Sequence, residues 1–205
     1  MVARRQTGVF DFADFLELIR EEQKADLIDG NFYIASPESI GHNGLVHWLD
    51  IVIGQFVEIR GLGKVTVNKV AYRLTPDTAP EPDLAFVRTE RVACMKRGYV
   101  EGPPDLAIEI VSPDSVDRDY ERKRQVYEEA GVVEYWIIDP EESTAVFLVR
   151  KGNRFEESFP REKLFRSDVL PGFELDVRWL WQRPLPVTRT IVDHLLSRAG
   201  SQFSD

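Results

Sequence analysis

Residues 104–140 read PDLAIEIVSPDSVDRDYERKRQVYEEAGVVEYWIIDP, and this run decides the fold. Residues 106–111 are rich in Ile, Leu and Val, the mark of a strand buried on both faces. Ser112, Pro113, Asp114 and Ser115 end it with turn residues. Residues 119–130 have helical composition, with Tyr120, Val126, Tyr127 and Ala130 as the apolar stripe, and Gly131 stands where a C-cap glycine belongs. Residues 132–138 form a second apolar strand, stopped by Asp139 and Pro140. Strand, crossover helix and strand predict a right-handed βαβ-type unit with covered faces. In the middle of the first strand stands Glu109, a carboxylate that is costly to bury unless its charge is paired.

The frame around this unit is that of a soluble globular chain. Its 205 residues, 43% hydrophobic and 30% charged, suit one domain with a sizeable core. The expected division is a core at about 36–140, an N-terminal helix and hairpin at 10–35, and a C-terminal hairpin and helix at 141–205. The most apolar segment, 45–59, is interrupted by His47, Asp50, Gln55 and Glu58, so no membrane span is expected. Arg4 and Arg5 are followed by no apolar core, which is unlike a signal peptide. The single cysteine, Cys94, excludes an internal disulfide and a cysteine-rich metal site, and a cytoplasmic location is the simplest expectation. A net charge of −9 argues mildly against loose, non-specific binding to nucleic acid. Arg118, Arg122, Lys123 and Arg124 cluster on the crossover helix, and taken alone they read as a solvated face.

Residues 11–23 have helical periodicity, with Asp11 as N-cap and Asp14 completing an acidic capping box. Residues 25–35 read as a hairpin turning at Asp29-Gly30-Asn31. Residues 39–60 form the longest helix, stopped by Gly61 and Gly63. Residues 64–74 alternate as one strand with a phase slip at Asn68-Lys69, and residues 83–87 form the next strand. Residues 89–104 are polar and loop-like. A further hairpin is expected around residues 151–153, a turn at Leu170-Pro171-Gly172-Phe173, and a peripheral helix at 187–198.

Two strands carry acids at suggestive places. Asp83 follows Pro82 at a strand start, and Glu109 lies inside a later strand. If those strands are neighbours, both carboxylates converge on one divalent cation, and hard oxygen ligands of this kind suit Mg²⁺ or Mn²⁺. The backbone carbonyl of Val111, two residues after Glu109, is the expected further oxygen ligand, and a nearby lysine would orient the attacking water.

The pair Pro82-Asp83 followed by Glu109-Ile110-Val111 resembles the PD-(D/E)XK nuclease superfamily. The longer strings, EPDLAFV, PPDLAIEIVSPDS and then D-x-x-x-K-x-x-x-Y-x-x-x-G-V-x-E-Y-W-x-x-D-P from Asp119 to Pro140, resemble its Uma-type restriction endonuclease branch. The segment ADLIDG resembles that branch's E-L-I-D-G, His42 matches a histidine before the long helix, and Leu170-Pro171-Gly172 matches a late L-P-G turn. The resemblance spans roughly residues 10–180. Two positions depart from the pattern. Val111 stands where the superfamily has a lysine, which makes Lys123 the relocated candidate, and Asp26 replaces the glutamate before L-I-D-G.

The resemblance implies an α/β fold, a restriction-endonuclease-like mixed sheet flanked by helices, with an extra N-terminal helix and hairpin and extra C-terminal strands. It implies a Mg²⁺- or Mn²⁺-dependent endonuclease acting on DNA, with a homodimer suited to cutting two strands. Asp83 and Glu109 are the expected metal ligands, with the Val111 carbonyl, and Lys123 the expected catalytic lysine. Lys123 also has a plainer reading, an exposed ion pair with Asp119 four residues earlier. Asp26 divides between metal ligand and polar hairpin residue, and His42 between a phosphate or metal-water contact and a helix-start residue. Tyr127, Tyr135 and Trp136 read as packing, and Ser112 and Ser115 as turn and cap. The alternative from a different class is a catalytically silent DNA- or protein-binding module on the same fold, which the missing lysine at Val111 favours.

Overall fold

The computed structural model describes residues 9–20 and 23–201, so Arg4 and Arg5 lie outside the described residues. In chain order the elements are α1 (Phe12–Leu18), β1 (Ala25–Ile28), β2 (Asn31–Ile34), α2 (Ile40–Arg60), β3 (Gly63–Val67), β4 (Ala71–Arg73), β5 (Leu84–Arg88) and β6 (Tyr99–Glu101). There follow β7 (Leu106–Ile110), α3 (Arg124–Ala130), β8 (Glu134–Asp139), β9 (Thr144–Lys151), β10 (Arg154–Glu157), β11 (Leu164–Arg166), β12 (Glu174–Asp176) and α4 (Thr188–Ser201).

Six strands form the central mixed sheet in the order β10-β9-β8-β7-β5-β3. β7 and β8 run parallel, joined by the crossover through α3, and every other pairing in this sheet is antiparallel. Strand alternation divides the side chains between two faces. Leu84, Phe86, Leu106, Ile108, Ile110, Trp136 and Ile138 pack with Leu49, Val52, Ile53 and Phe56 of α2 in the main core. Ala107, Val111, Tyr135 and Ile137 face the other way, onto Tyr127 and Val132 beside α3. Glu109 alternates onto this second face with Ala107 and Val111, which brings it under the crossover.

Local signals set most boundaries. The Asp11 carboxylate caps α1 and Asp14 completes the capping box. The Ser39 hydroxyl accepts from His42 N–H to start α2, and Gly61 ends it in the left-handed conformation (φ 64°). The β1–β2 hairpin turns on Asp29 (φ 49°) and Gly30 (φ 70°), as a two-residue primed turn requires.

The structure corrects five expectations. Helix α1 stops at Leu18, where the Ile19 N–H bonds back to the Phe15 carbonyl from an extended residue. The strand expected over 64–74 is two strands, because Asn68 and Lys69 both adopt φ 43° and send β4 off to pair with β6. The segment 89–104 holds a 3₁₀ turn (Thr89–Cys94) and β6, and its Arg91 is anchored to the following Asp105 at 3.0 Å. β11 and β12 form an unforeseen two-stranded sheet on either side of the Leu170-Pro171-Gly172 turn. Helix α4 is not peripheral: Ile191, Leu195 and Ala199 join the main core beside α2. Its amphipathic stripe, not chain position, decides that burial. Among the described residues no helix is long and apolar enough to cross a membrane.

Two glycines of similar appearance in the sequence carry opposite predictions. A Cβ at Gly63 would meet the Val87 carbonyl oxygen at 2.1 Å, whereas a Cβ at Gly44 meets nothing within 4 Å. Gly63→Ala therefore forces apart the β3–β5 pair and costs more than about 2 kcal/mol. Gly44→Ala, inside α2, raises stability by about 0.5–1 kcal/mol. Urea unfolding of the two variants against the parent checks both signs.

Candidate active site

The geometry begins with strand register. β5 and β7 are antiparallel with Leu84 opposite Ile108, so one step further Asp83 faces Glu109 on the same side of the sheet. The strands expected to be neighbours are neighbours. Asp83 Oδ2 accepts the Ile110 backbone N–H at 2.7 Å, which fixes its carboxylate at the end of β7. The Ile110 carbonyl lies 2.8 Å from His42 Nε2, and His42 Nε2 is 3.5 Å from Asp83 Oδ2. The strand carbonyl aimed at this corner is thus that of Ile110, one residue before the expected Val111. The Val111 N–H donates to the Ile138 carbonyl on the β8 side, and its side chain packs in the apolar cluster around Tyr127.

Lys123 enters from the crossover. Residues Arg118–Lys123 form a π-helical turn ahead of α3, where a regular α-helix was expected. Such turns are rare and short. The Tyr135 hydroxyl donates to the Asp119 carbonyl at 2.8 Å within this turn. Lys123 is 1% exposed, with its ammonium 2.9 Å from Glu109 Oε1, 3.1 Å from Asp26 Oδ2 and 3.6 Å from Asp119 Oδ1. The solvated reading of this lysine is overturned: its pair with Asp119 exists, but inside the protein and shared with two further acids. Arg118 also turns inward, with Nε 3.1 Å from Asp26 Oδ2.

Asp26 is placed by the β1–β2 hairpin. Its Oδ1 accepts the Glu81 N–H at 2.8 Å, while Glu81 Oε2 accepts the Ala25 N–H at 2.9 Å. Leu27 and Ala79 exchange both backbone bonds, which zips the hairpin to the segment leading into Asp83. Both Asp26 oxygens are therefore engaged, one by backbone and one by Lys123 and Arg118.

Three participants carried no legible signal: Lys24, Glu38 and Glu81. The Lys24 ammonium lies against Asp83 Oδ1, with Glu38 Oε1 4.0 Å away. Glu38 Oε2 is 3.3 Å from His42 Nδ1. Each sits in an ordinary polar stretch, and it is contacts in the folded chain that reveal it, across 59 residues in the case of Lys24 and Asp83. Tyr127 and Tyr135 pack as expected, and Tyr127 also donates its hydroxyl to Glu109 Oε1 at 3.0 Å. Ser115 donates to Asp119 Oδ2 at 2.5 Å and Ser112 stays in the turn. His47 and His194 are solvent-exposed.

Electrostatics follow from burial and from the sharing of cations. Burial opposes the charge on Asp83, but the Lys24 ammonium and His42 overcome it and hold this carboxyl well below the usual range. Glu109 goes the other way. Burial pushes it up to about 8, because Lys123 is shared among three acids and Asp119 and Asp83 add like charge. Burial likewise raises Asp119, and burial raises Glu81 to about 7. Lys123 stays charged: burial lowers it, and Asp26, Glu109 and Asp119 more than reverse that.

The donor set fits a divalent cation. Asp83 faces Glu109 across adjacent strands, and both line one cavity with Ile110, whose carbonyl adds a third hard oxygen to its wall. Lys123 is shared among three buried acids, of which Asp26 also meets Arg118. Among the described residues, Glu38, His42 and Asp83 also place ligand atoms within 4.8 Å of one another, with His42 Nδ1 facing the Glu38 carboxylate at 3.3 Å.

These shifts set the stability of the metal-free protein. The folded-state value of Glu109 lies above its ordinary 4.5, so its contribution is full below about 4.5 and is lost as pH rises through about 8. Glu109→Gln removes that titration, so the variant loses less stability than the parent as pH rises from 4.5 to 8 and gains on the parent at neutral pH. Lys123→Met removes the buried cation that Asp26, Glu109 and Asp119 share and costs about 3–5 kcal/mol at pH 7. Denaturant titrations between pH 4.5 and 8.5 measure all three chains.

Comparison with known proteins agrees with this architecture. A search of curated proteins found no match. A crystal structure described as "a putative nuclease belonging to DUF820" from Anabaena variabilis superposes with a TM-score of 0.70 at 20% sequence identity, covering 84% of this chain and 97% of that one. At that identity the likeness shows the fold, a central mixed sheet flanked by helices of restriction-endonuclease type. The model of the Uma2 family, described as "Putative restriction endonuclease", matches residues 12–178, from α1 through the whole central sheet to the turn after β12, and the chain belongs to that family.

Proposed function

We propose that the protein is an endonuclease that hydrolyses DNA phosphodiester bonds with Mg²⁺ or Mn²⁺. The observation that carries the proposal is Asp83 facing Glu109 across two adjacent strands, with the Lys123 ammonium 2.9 Å from Glu109. Family membership and the fold of the Anabaena nuclease support it.

Asp83, Glu109 and the Ile110 carbonyl would hold the metal ion, which supplies charge neutralisation at the phosphorus and a lowered pKa for the attacking water. Every other role belongs to the chain. Lys123 donates to the incoming water from beside Glu109, orienting it, and stabilises negative charge on the phosphoryl oxygens in the transition state. Asp26 and Asp119 fix the position of Lys123 from its other sides. Tyr127 orients the Glu109 carboxyl through its hydroxyl. The water oxygen bonds to phosphorus and its proton passes to solvent, the P–O3′ bond breaks, and O3′ takes a proton from a second water, leaving 5′-phosphate and 3′-hydroxyl ends.

Val111 at the usual lysine position favours the silent binding module, while the buried Lys123 beside Glu109 supports the catalytic reading. A fold that kept only a binding role has no use for a desolvated ammonium beside a desolvated glutamate, an arrangement that costs stability. Supercoiled plasmid incubated with Mg²⁺ or Mn²⁺ gives the test. Nicking is expected in the parent, with losses of about 10³-fold or more in Glu109→Gln and Asp83→Asn and about 10²-fold in Lys123→Arg. No cleavage of duplex or single-stranded DNA by the folded parent, with DNA binding intact, would establish the binding module instead.

A further inference from the structure

The catalytic corner contains a second lysine that the proposed reaction does not use. The Lys24 ammonium contacts Asp83 Oδ1, the carboxylate that the reading above gives to the metal. The two lysines differ in their surroundings. Lys123 is 1% exposed and held by three acids, so it has nowhere to go. The Lys24 side chain is 15% exposed and has a second carboxylate, Glu38, 4.0 Å away. It also stands in the wall between two cavities. It lines the catalytic pocket and, on its other side, an open groove bounded by Asn43, Asn68 and Lys69.

Resting on the metal-dependent reading, we propose that Lys24 is a displaceable counterion of Asp83. In the metal-free protein its ammonium neutralises Asp83 from the position a divalent cation would take. When the cation binds, the side chain turns toward Glu38 and the groove. An ammonium and a divalent cation cannot share one carboxylate corner without strong repulsion. A lysine stem has the torsional freedom to move away and the charge to remain solvated at the groove mouth. The device lets the chain fold with Asp83 compensated, and it sets a threshold for metal loading.

Calorimetric titration with Mn²⁺ in the absence of nucleic acid tests this on the full chain, its Lys24→Met and Lys24→Arg variants, and Glu109→Gln. Lys24→Met removes the competitor and keeps the apolar stem, so Mn²⁺ binds about tenfold tighter than in the parent. Lys24→Arg substitutes a cation that can grip Asp83 through two donors, so Mn²⁺ binds more weakly than in the parent. A lysine that only supports the fold would leave the dissociation constant the same in all three chains. Equal constants, or weaker binding in Lys24→Met, overturn the proposal while leaving the two-carboxylate metal site standing. Mn²⁺ binding that Glu109→Gln does not weaken, or no binding in the parent, overturns the metal-site reading and the counterion with it. Thermal melting without metal verifies that each variant is folded.

Discussion

The Lys123 ammonium, buried among Asp26, Glu109 and Asp119, is the interaction on which the site depends. Each partner comes from a different part of the chain: the N-terminal hairpin, a central strand, and the turn that leads into α3. Taking any one of these charges out of water alone is prohibitive, so the cluster forms only when the parts arrive together. This makes the charge cluster a condition on tertiary assembly as well as a chemical device. It also explains why Glu109 tolerates the middle of an apolar strand. Its side of the sheet is apolar at Ala107 and Val111, and polar only where Lys123 and Tyr127 reach down from the crossover.

The hairpin shows how far that condition extends. β1 and β2 are not part of the central sheet. They are held to it by the reciprocal carboxylate-to-backbone bonds of Asp26 and Glu81 and by the paired bonds of Leu27 and Ala79. The same bonds that dock the hairpin aim Asp26 at Lys123 and bring Lys24, the preceding residue, to Asp83. An N-terminal decoration of the fold thereby supplies one carboxylate and one ammonium to the candidate site.

The sequence was most legible where a local rule decides. The apolar runs of β7 and β8, the Gly131 stop between them, the Ser39 cap and the Gly61 stop all depend on near neighbours, and the βαβ unit and α2 follow from them. Asp83 and Glu109 were legible because an acid beside or within an apolar strand stands out against its own neighbours. Lys24, Glu38 and Glu81 were not, because each is an ordinary charged residue until the sheet brings a distant partner to it. The π-helical turn was hidden for another reason: over six residues, a widened turn and a regular one share the same composition. The break between β3 and β4 had a visible trace, the phase slip at Asn68-Lys69. Polarity alternation could not reveal that both residues turn left-handed and that the chain changes sheets there.

Val111 ties the fold to the chemistry. Its position, two residues beyond Glu109, points to the same face and packs with Tyr127, Tyr135 and Ile137. A lysine there would have to lay its stem through that apolar cluster to reach Glu109. Here the ammonium comes instead from above, on a turn that widens so that Lys123 can descend onto Glu109 while Asp119 stays beside it. Moving the cation from strand to crossover has a structural consequence. With the lysine on the strand, its distance to the glutamate is fixed by two residues of backbone. With the lysine on the crossover, that distance depends on how α3 packs against the sheet, through Tyr127, Tyr135 and Val132. The aromatic packing under α3 therefore sets the geometry of the proposed site, and the buried hydroxyls of Tyr127 and Tyr135, one on Glu109 and one on the Asp119 carbonyl, hold strand and crossover in register.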